Sequence, residues 1–141
     1  MPSDFDFLKE EYLTLRKEIE AVILELRQLE RNCVIAVALA FTWVATQTLK
    51  PEIAQVAWLV PSLIPIYGAI RARAIGKHLK VMGQYVKSIE NVAIPAGLGI
   101  VGWEHYLEAN SRGAQSGATK QLWVALILLS LFMSVIGFWK A

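Results

Sequence analysis

Apolar side chains recur at alternating intervals of four and three residues through residues 8–31, with charged residues filling most of the other positions. Neither Gly nor Pro interrupts the run. This seven-residue repeat predicts an amphipathic helix that packs along another helix, either as an ordinary packed helix or as a self-associating coiled coil. The predicted seam consists of Leu8, Tyr12, Leu15, Ile19, Val22, Leu26 and Leu29.

Two uncharged apolar segments follow at residues 33–49 and 53–70. At 1.5 Å per helical residue, each covers roughly 25 Å, close to the hydrocarbon thickness of a bilayer. Pro51 follows the first segment after a single residue, Lys50, and a proline in this position marks a helix end. We therefore predict two transmembrane spans that run antiparallel and form a hairpin.

The second predicted span contains Pro61 and Pro65. Each proline removes a backbone hydrogen bond and crowds the preceding helical turn, so we expect a bend here. A hinge is one interpretation. The other is a static bend that neighbouring helices cover.

Beyond the second span, apolar residues keep helical spacing, which predicts a cytoplasmic helix over residues 71–93. An aromatic-rich stretch at residues 100–110 predicts a short helix that lies in the membrane interface or on the cytoplasmic helices. The composition of residues 111–119 predicts a flexible linker. Residues 121–139 form a third uncharged span with Trp123 and Trp139 at its ends, the pattern of an aromatic belt.

Composition agrees with this arrangement, because 55% of residues are hydrophobic and only 18% are charged. The apolar excess lies in three blocks, unlike that of a soluble domain. We predict an all-α integral membrane protein in which a long antiparallel helical hairpin is joined by a short helix and a third transmembrane helix. The whole chain, residues 1–141, forms a single membrane domain.

Charge differs between the two halves of the predicted hairpin that lie outside the spans, residues 8–31 and 71–93, which we call the arms. Residues 1–32 carry a net charge of −3 and residues 71–120 a net charge of +4. Folding the hairpin about Pro51 places acidic and basic residues side by side, which helps to fix register. The expected neighbours are Glu25 with Lys77, and Glu30 with Arg71 and Arg73.

The positions of the basic residues predict orientation. Twelve of the 14 Lys and Arg residues lie in residues 1–32 and 71–120, and only Lys50 and Lys140 lie beyond the opposite ends of the spans. By the positive-inside rule, the arms and the N-terminus are cytoplasmic and the C-terminus is outside. We expect a multi-pass protein of the bacterial inner membrane.

The basic residues after the second span contact lipid head groups or the acidic arm, and nucleic acid is not an expected partner. They are Arg71, Arg73, Lys77 and Lys80.

The sequence contains no Gly-rich phosphate loop, no cysteine pair with metal spacing and no HExxH motif. Glu104 and His105 are the one pair of an acidic residue and a histidine adjacent in sequence, but neighbouring helical residues point about 100° apart. We therefore expect no catalytic residues, no cofactor, no metal and no enzymatic activity. The single cysteine, Cys33, is interpreted as a small apolar helix residue.

Uncharged polar residues inside the spans have two interpretations. They hydrogen-bond between packed helices, or they line a polar passage in an oligomer. The absence of charged residues within the spans argues against an ion-coupled transporter. The candidates are Thr42, Thr46, Gln47 and Ser62, with Ser130 and Ser134 in the third span.

Three short motifs carry a resemblance: EYLTLRKEI at residues 11–19, GQY with IE within residues 83–90, and GWE at residues 102–104. They resemble those of a family of small uncharacterised bacterial inner-membrane proteins. In architecture the chain is also similar to the SLATT-type two-span proteins of anti-phage systems, although it has a third span. The resemblance implies a membrane effector and assigns no functional residues.

Two functions follow from these observations. The first is an oligomeric membrane effector or pore-forming subunit that a cytoplasmic protein partner controls, in bacterial defence. The second is a non-conducting membrane scaffold whose helical arms dock a cytoplasmic partner. Both include contact with the lipid membrane, and we also expect the protein to form a homo-oligomer.

Overall fold

Helices account for nearly all of the chain that the computed structural model describes, which is residues 4–93, 102, 103, 106 and 112–140. Helix α1 spans Asp4–Thr46, α2 spans Pro51–Ala93 and α3 spans Arg112–Lys140. Each contains a stretch that is long and apolar enough to cross a membrane. The predicted fold class is confirmed: the chain is an all-α, multi-pass integral membrane protein.

The connection between α1 and α2 starts earlier than the sequence predicts, because α1 ends at Thr46 and not at residue 49. The Thr46 hydroxyl donates a 2.9 Å hydrogen bond to the carbonyl of Trp43, one of the last carbonyls of the helix. Pro51 is the first residue of α2, where its missing N–H costs nothing. The Lys50 carbonyl accepts hydrogen bonds from the amides of Ile53 and Ala54.

Each long helix continues without interruption from its span into its arm. The segments predicted at 53–70 and 71–93 therefore form one helix. The linker prediction for residues 111–119 was wrong for residues 112–119, which belong to α3. That stretch contains no proline, and a formed apolar helix extends at little cost into Arg, Ala and Gln. The short helix predicted at residues 100–110 lies mostly outside the described residues.

The chain divides into two compact units. The arm unit comprises Met1–Leu26 and Ala74–Gly117. In it α1 and α2 pack side by side, joined by the hydrogen bonds from Tyr85 to Glu11 and from Tyr12 to Glu90. All seam residues within this unit are half-buried. They face an apolar core on α2 formed by Ile75, Met82, Val86 and Ile89.

The span unit comprises Arg27–Arg73 and Ala118–Ala141 and contains parts of all three helices. Phe41 of α1 lies beside Trp58 of α2, with ring centroids 6.1 Å apart. Gly68 of α2 lies against Cys33 and Trp123, whereas Gly137 of α3 lies against Trp58. These pairings make α1 and α3 both antiparallel to α2. The outer surface is apolar, with exposed Leu39, Leu63, Leu128 and Phe132.

Candidate functional site

Three serine hydroxyls lie buried where the helices of the span unit pack. Ser134 of α3 donates to Ser62 Oγ of α2 at 3.5 Å. Ser62 donates to the carbonyl of Leu59 at 2.6 Å, and Ser130 donates to that of Ile127 at 2.9 Å. All three residues are buried. Each hydroxyl therefore has a partner inside the chain, as interhelical polar residues in membranes usually do.

The other polar candidates lie elsewhere. Thr42 and Thr46 are exposed on α1, and Thr42 donates to the carbonyl of Ala38 at 2.8 Å. With Thr46 bonded to Trp43, both hydroxyls are satisfied within their own helix. Gln47 is exposed and falls in the connection after α1, outside any helix. Ser62 is thus separate from the other three candidates. In the described part of the chain, the two threonine hydroxyls bond within α1 and not to another helix.

Pro61 and Pro65 are both fully buried inside α2. Ser62, between them, is buried as well, so this part of α2 forms a packed face of the span unit. Tight packing around a proline suits the interpretation as a covered bend, because a hinge needs room to change its backbone angles. The hinge stays a prediction.

Glycine allows the closest approaches between helices in the span unit. A methyl group added at Gly68 would lie 2.5 Å from the Trp123 ring and 2.6 Å from Cys33 Sγ. At Gly137 an added methyl group would fall on the Trp58 ring. Small residues at such points let helix backbones approach, the usual source of helix association in lipid.

The two tryptophans of the predicted aromatic belt differ in environment. Trp139 is 85% exposed, whereas Trp123 is only 5% exposed and packs against Gly68. The Trp123 indole Nε1 is buried with no hydrogen-bond partner in the described part of the chain. Trp123 is thus a core residue of the span unit, and the aromatic belt stays a prediction.

We predict a weak but measurable coupling between Ser62 and Ser134. Replacing either by alanine removes one hydroxyl from a 3.5 Å contact, so the coupling energy should be about 0.6 kcal/mol, the mean for membrane hydrogen bonds. A double-mutant cycle of unfolding in detergent measures it. Ser130→Ala with Ser62→Ala is the matched control, because Ser130 bonds to its own helix. A zero coupling energy for Ser62 and Ser134 would show that the contact is only steric.

The arm unit brings the three motifs of the resemblance into one cluster, which we call the arm cluster: Tyr12, Arg16, Glu90, Gly102 and Trp103. Glu90 is only 6% exposed, and the Tyr12 hydroxyl donates to Glu90 Oε1 at 3.4 Å. A methyl group at Gly102 would fall on Glu90 Oε2 and lie 2.8 Å from Glu90 Cδ. Only a residue without a side chain lets this backbone approach the carboxylate so closely.

Aromatic contacts hold Trp103 in the arm cluster. The Arg16 guanidinium lies 5.3 Å from the centroid of the Trp103 ring, a cation–π contact. Tyr106 stacks on Trp103 with centroids 6.2 Å apart, and its amide donates to the Gly102 carbonyl. Residues from three separate stretches of sequence thus meet around one buried carboxylate.

A second pair of residues joins α1 to α2 at the surface of the arm unit. The Tyr85 hydroxyl donates to Glu11 Oε1 at 2.7 Å. This hydrogen bond, together with the negative charge of Glu11, raises the pKa of Tyr85 above its ordinary value. Because the folded state holds the proton more tightly, any stability from this pair is present below the ordinary tyrosine pKa and is lost as pH rises through the higher value.

Sequence patterns missed Glu90, although a signal was present. Glu90 follows Val86 by four residues and therefore lies near the apolar face formed by Met82 and Val86. An acid at such a position is rarely buried without partners. The basic candidates Arg71, Arg73, Lys77 and Lys80 are all exposed. Their expected proximity to Glu25 and Glu30 stays a prediction, as does their contact with lipid head groups.

Comparison of the chain with protein-family models, with curated proteins and with solved structures yields no match. The described residues bring together no group of three His, Cys, Asp or Glu side chains that suits a metal ion. Functional inference therefore rests on the geometry of the two units.

Proposed function

We propose that this chain is a membrane-anchored helical scaffold: the span unit holds it in the bilayer, and the arm unit presents helix surfaces to protein partners. The observation that carries the proposal is the burial of Ser62, Ser130 and Ser134 within a single chain. A span unit that satisfies these hydroxyls internally and exposes an apolar surface suits lipid on its outside.

The surface of the arm unit supports the docking role. Leu13 and Leu24 of α1 are exposed, although they lie in an arm with many charged residues. Arms with this charge content lie outside the hydrocarbon. Exposed apolar side chains in such a place are typical of a surface that binds protein. By the positive-inside rule, we propose that this surface faces the cytoplasm of a bacterium.

A second candidate is the oligomeric pore or effector controlled by a cytoplasmic partner, in bacterial defence. One observation favours it: Ile35, Leu39, Thr42 and Thr46 form an exposed stripe on α1, at intervals of four, three and four residues. Such a stripe of mixed polarity could line a passage if several copies assembled around it. In the single chain its hydroxyls bond to their own helix, so lipid can also cover it.

Reconstitution into dye-filled vesicles tests the two candidates. For a scaffold we expect the purified protein to insert and the dye to stay inside, because no polar surface in the spans needs water. Thr42→Leu with Thr46→Leu should then change nothing. Dye release that this double change abolishes, with insertion into the vesicles preserved, would contradict the scaffold and support the pore. Dye release that the double change leaves intact would contradict the scaffold and exclude this stripe as the lining.

A further inference from the structure

An exposed stripe on α2 repeats with the spacing of a coiled-coil seam. Its members recur at intervals of four, three, four, three and four residues, and all are exposed. None is Asp, Glu, Lys or Arg, although this arm is rich in basic residues. We call this surface the outer stripe: Ala74, His78, Val81, Tyr85, Ser88 and Val92.

The outer stripe is distinct from the core of the arm unit. Ile75, Met82 and Ile89 each follow a stripe residue by one position, and all three are buried. The stripe residues Val81, Tyr85 and Val92 remain 63%, 48% and 74% exposed. Helix α2 therefore carries two adjacent apolar surfaces, and α1 covers only one of them.

We infer that the outer stripe binds the outer stripe of a second copy of this chain, in a parallel two-fold dimer. Two copies inserted in one bilayer with the same orientation present their α2 helices in parallel. In-register pairing then sets Val81 against Val81 and Ser88 against Ser88 of the other copy, the layering of a parallel coiled coil. Uncharged stripe residues suit such self-pairing, since like charges would repel.

The residues on either side of the stripe are complementary. On the side towards α1, Tyr85 bonds to Glu11, which begins a series at seven-residue intervals: Glu11, Glu18 and Glu25. On the opposite side of the stripe, α2 carries a series of hydrogen-bond donors at the same interval: Lys77, Gln84 and Asn91. A two-fold rotation brings the acidic series of one copy towards the donor series of the other.

The register of the arm unit places these series at matching heights. The hydrogen bond from Tyr85 to Glu11 supplies one point of register between α1 and α2. In an antiparallel hairpin, that point sets Lys77 within about one helical turn of Glu18. Lys77 of one copy and Glu18 of the other are therefore the expected ion pair. The dimer goes beyond the proposed function, because a scaffold could also work as a single copy.

Disulfide cross-linking of the full chain in lipid vesicles tests this inference. In a Cys33→Ala background, Ser88→Cys and Val81→Cys each place a single thiol on the outer stripe. Gly76→Cys is the matched control, since Gly76 lies on the same helix, is exposed, and has nothing within 4 Å of an added Cβ. Oxidation should convert most of either stripe variant to a covalent dimer and leave the control monomeric.

Charge reversal supplies an independent second test. Lys77→Glu or Glu18→Lys alone should lower cross-linking at position 88 severalfold, and the two together should restore it. Absent cross-linking at both stripe positions, or equal cross-linking at position 76, would overturn the inference. Resistance of every variant to alkaline extraction from the vesicles reports whether the span unit is inserted. Failure of the dimer is thus distinguishable from failure of the anchor.

Discussion

Replacing Gly68 by alanine destabilises the solubilised protein, whereas the same replacement at Gly76 stabilises it slightly. An added methyl group at Gly68 lies 2.5 Å from the Trp123 ring and 2.6 Å from Cys33 Sγ, and both neighbours are buried. Such overpacking costs about 1–3 kcal/mol. Helix propensity favours alanine by about 1 kcal/mol at either site. The change in the free energy of unfolding is therefore set by packing at Gly68 and by helix propensity at Gly76.

Thermal unfolding in one detergent measures both variants, and a second pair repeats the comparison on α3. Gly137 lies against Trp58, whereas an added Cβ at Gly117 meets nothing within 4 Å. Alanine should therefore destabilise at 137 and not at 117. In a Trp123→Leu background, Gly68→Ala should cost less than in the native sequence, because the ring that the methyl group meets is absent. If the four glycine variants behave alike, the described packing of the span unit is wrong.

Gly102→Ala opens the arm unit in the native sequence and is tolerated once the Glu90 carboxylate is removed. The added methyl group falls on the carboxylate of Glu90, which is buried and cannot swing into solvent without leaving Tyr12. Displacing a buried, hydrogen-bonded carboxylate costs about 1–3 kcal/mol. In a Glu90→Ala background the space is vacant, so the second change should cost little.

Hydrogen–deuterium exchange of the full chain measures this opening separately for each peptide segment. Peptides from the two helices of the arm unit should exchange faster in Gly102→Ala, whereas peptides from α3 within the span unit should be unaffected. Glu10→Ala is the matched background for Glu90→Ala, because Glu10 is exposed on α1. If Gly102→Ala causes a similar loss of protection in the native, Glu90→Ala and Glu10→Ala backgrounds, Glu90 does not set the requirement for glycine.

Much of the fold follows from sequence because membrane helices carry strong, local signals. Long uncharged stretches predict spans, and Pro51 marks the turn within a few residues. The end of α1 was missed because a helix end depends on individual hydrogen bonds, here that of Thr46 to Trp43. Residues 112–119 were misassigned because their small and polar composition suits both a linker and the start of a helix that the apolar span nucleates.

The candidate sites were harder to predict, since they depend on which surfaces face one another. Ser62 and the threonines have similar chemistry and were grouped together, yet Ser62 is buried and Thr42 and Thr46 are exposed. Glu90 and Gly102 lie 12 positions apart, and neither signals the contact that joins them. The motifs at residues 11–19, 83–90 and 102–104 each contribute a residue to the arm cluster, but only the fold shows that these residues meet.

Anchoring requires that residues 33–46 of α1 cross the membrane, so that the turn at Lys50 and the arm containing Lys17 lie on opposite sides. Single cysteines at these two exposed positions, each in a Cys33→Ala background, can be labelled in intact bacterial cells with a membrane-impermeant maleimide. We expect that Lys50→Cys is labelled from outside and that Lys17→Cys is labelled only after the cells are broken. Labelling of both cysteines from the same side would contradict this expectation.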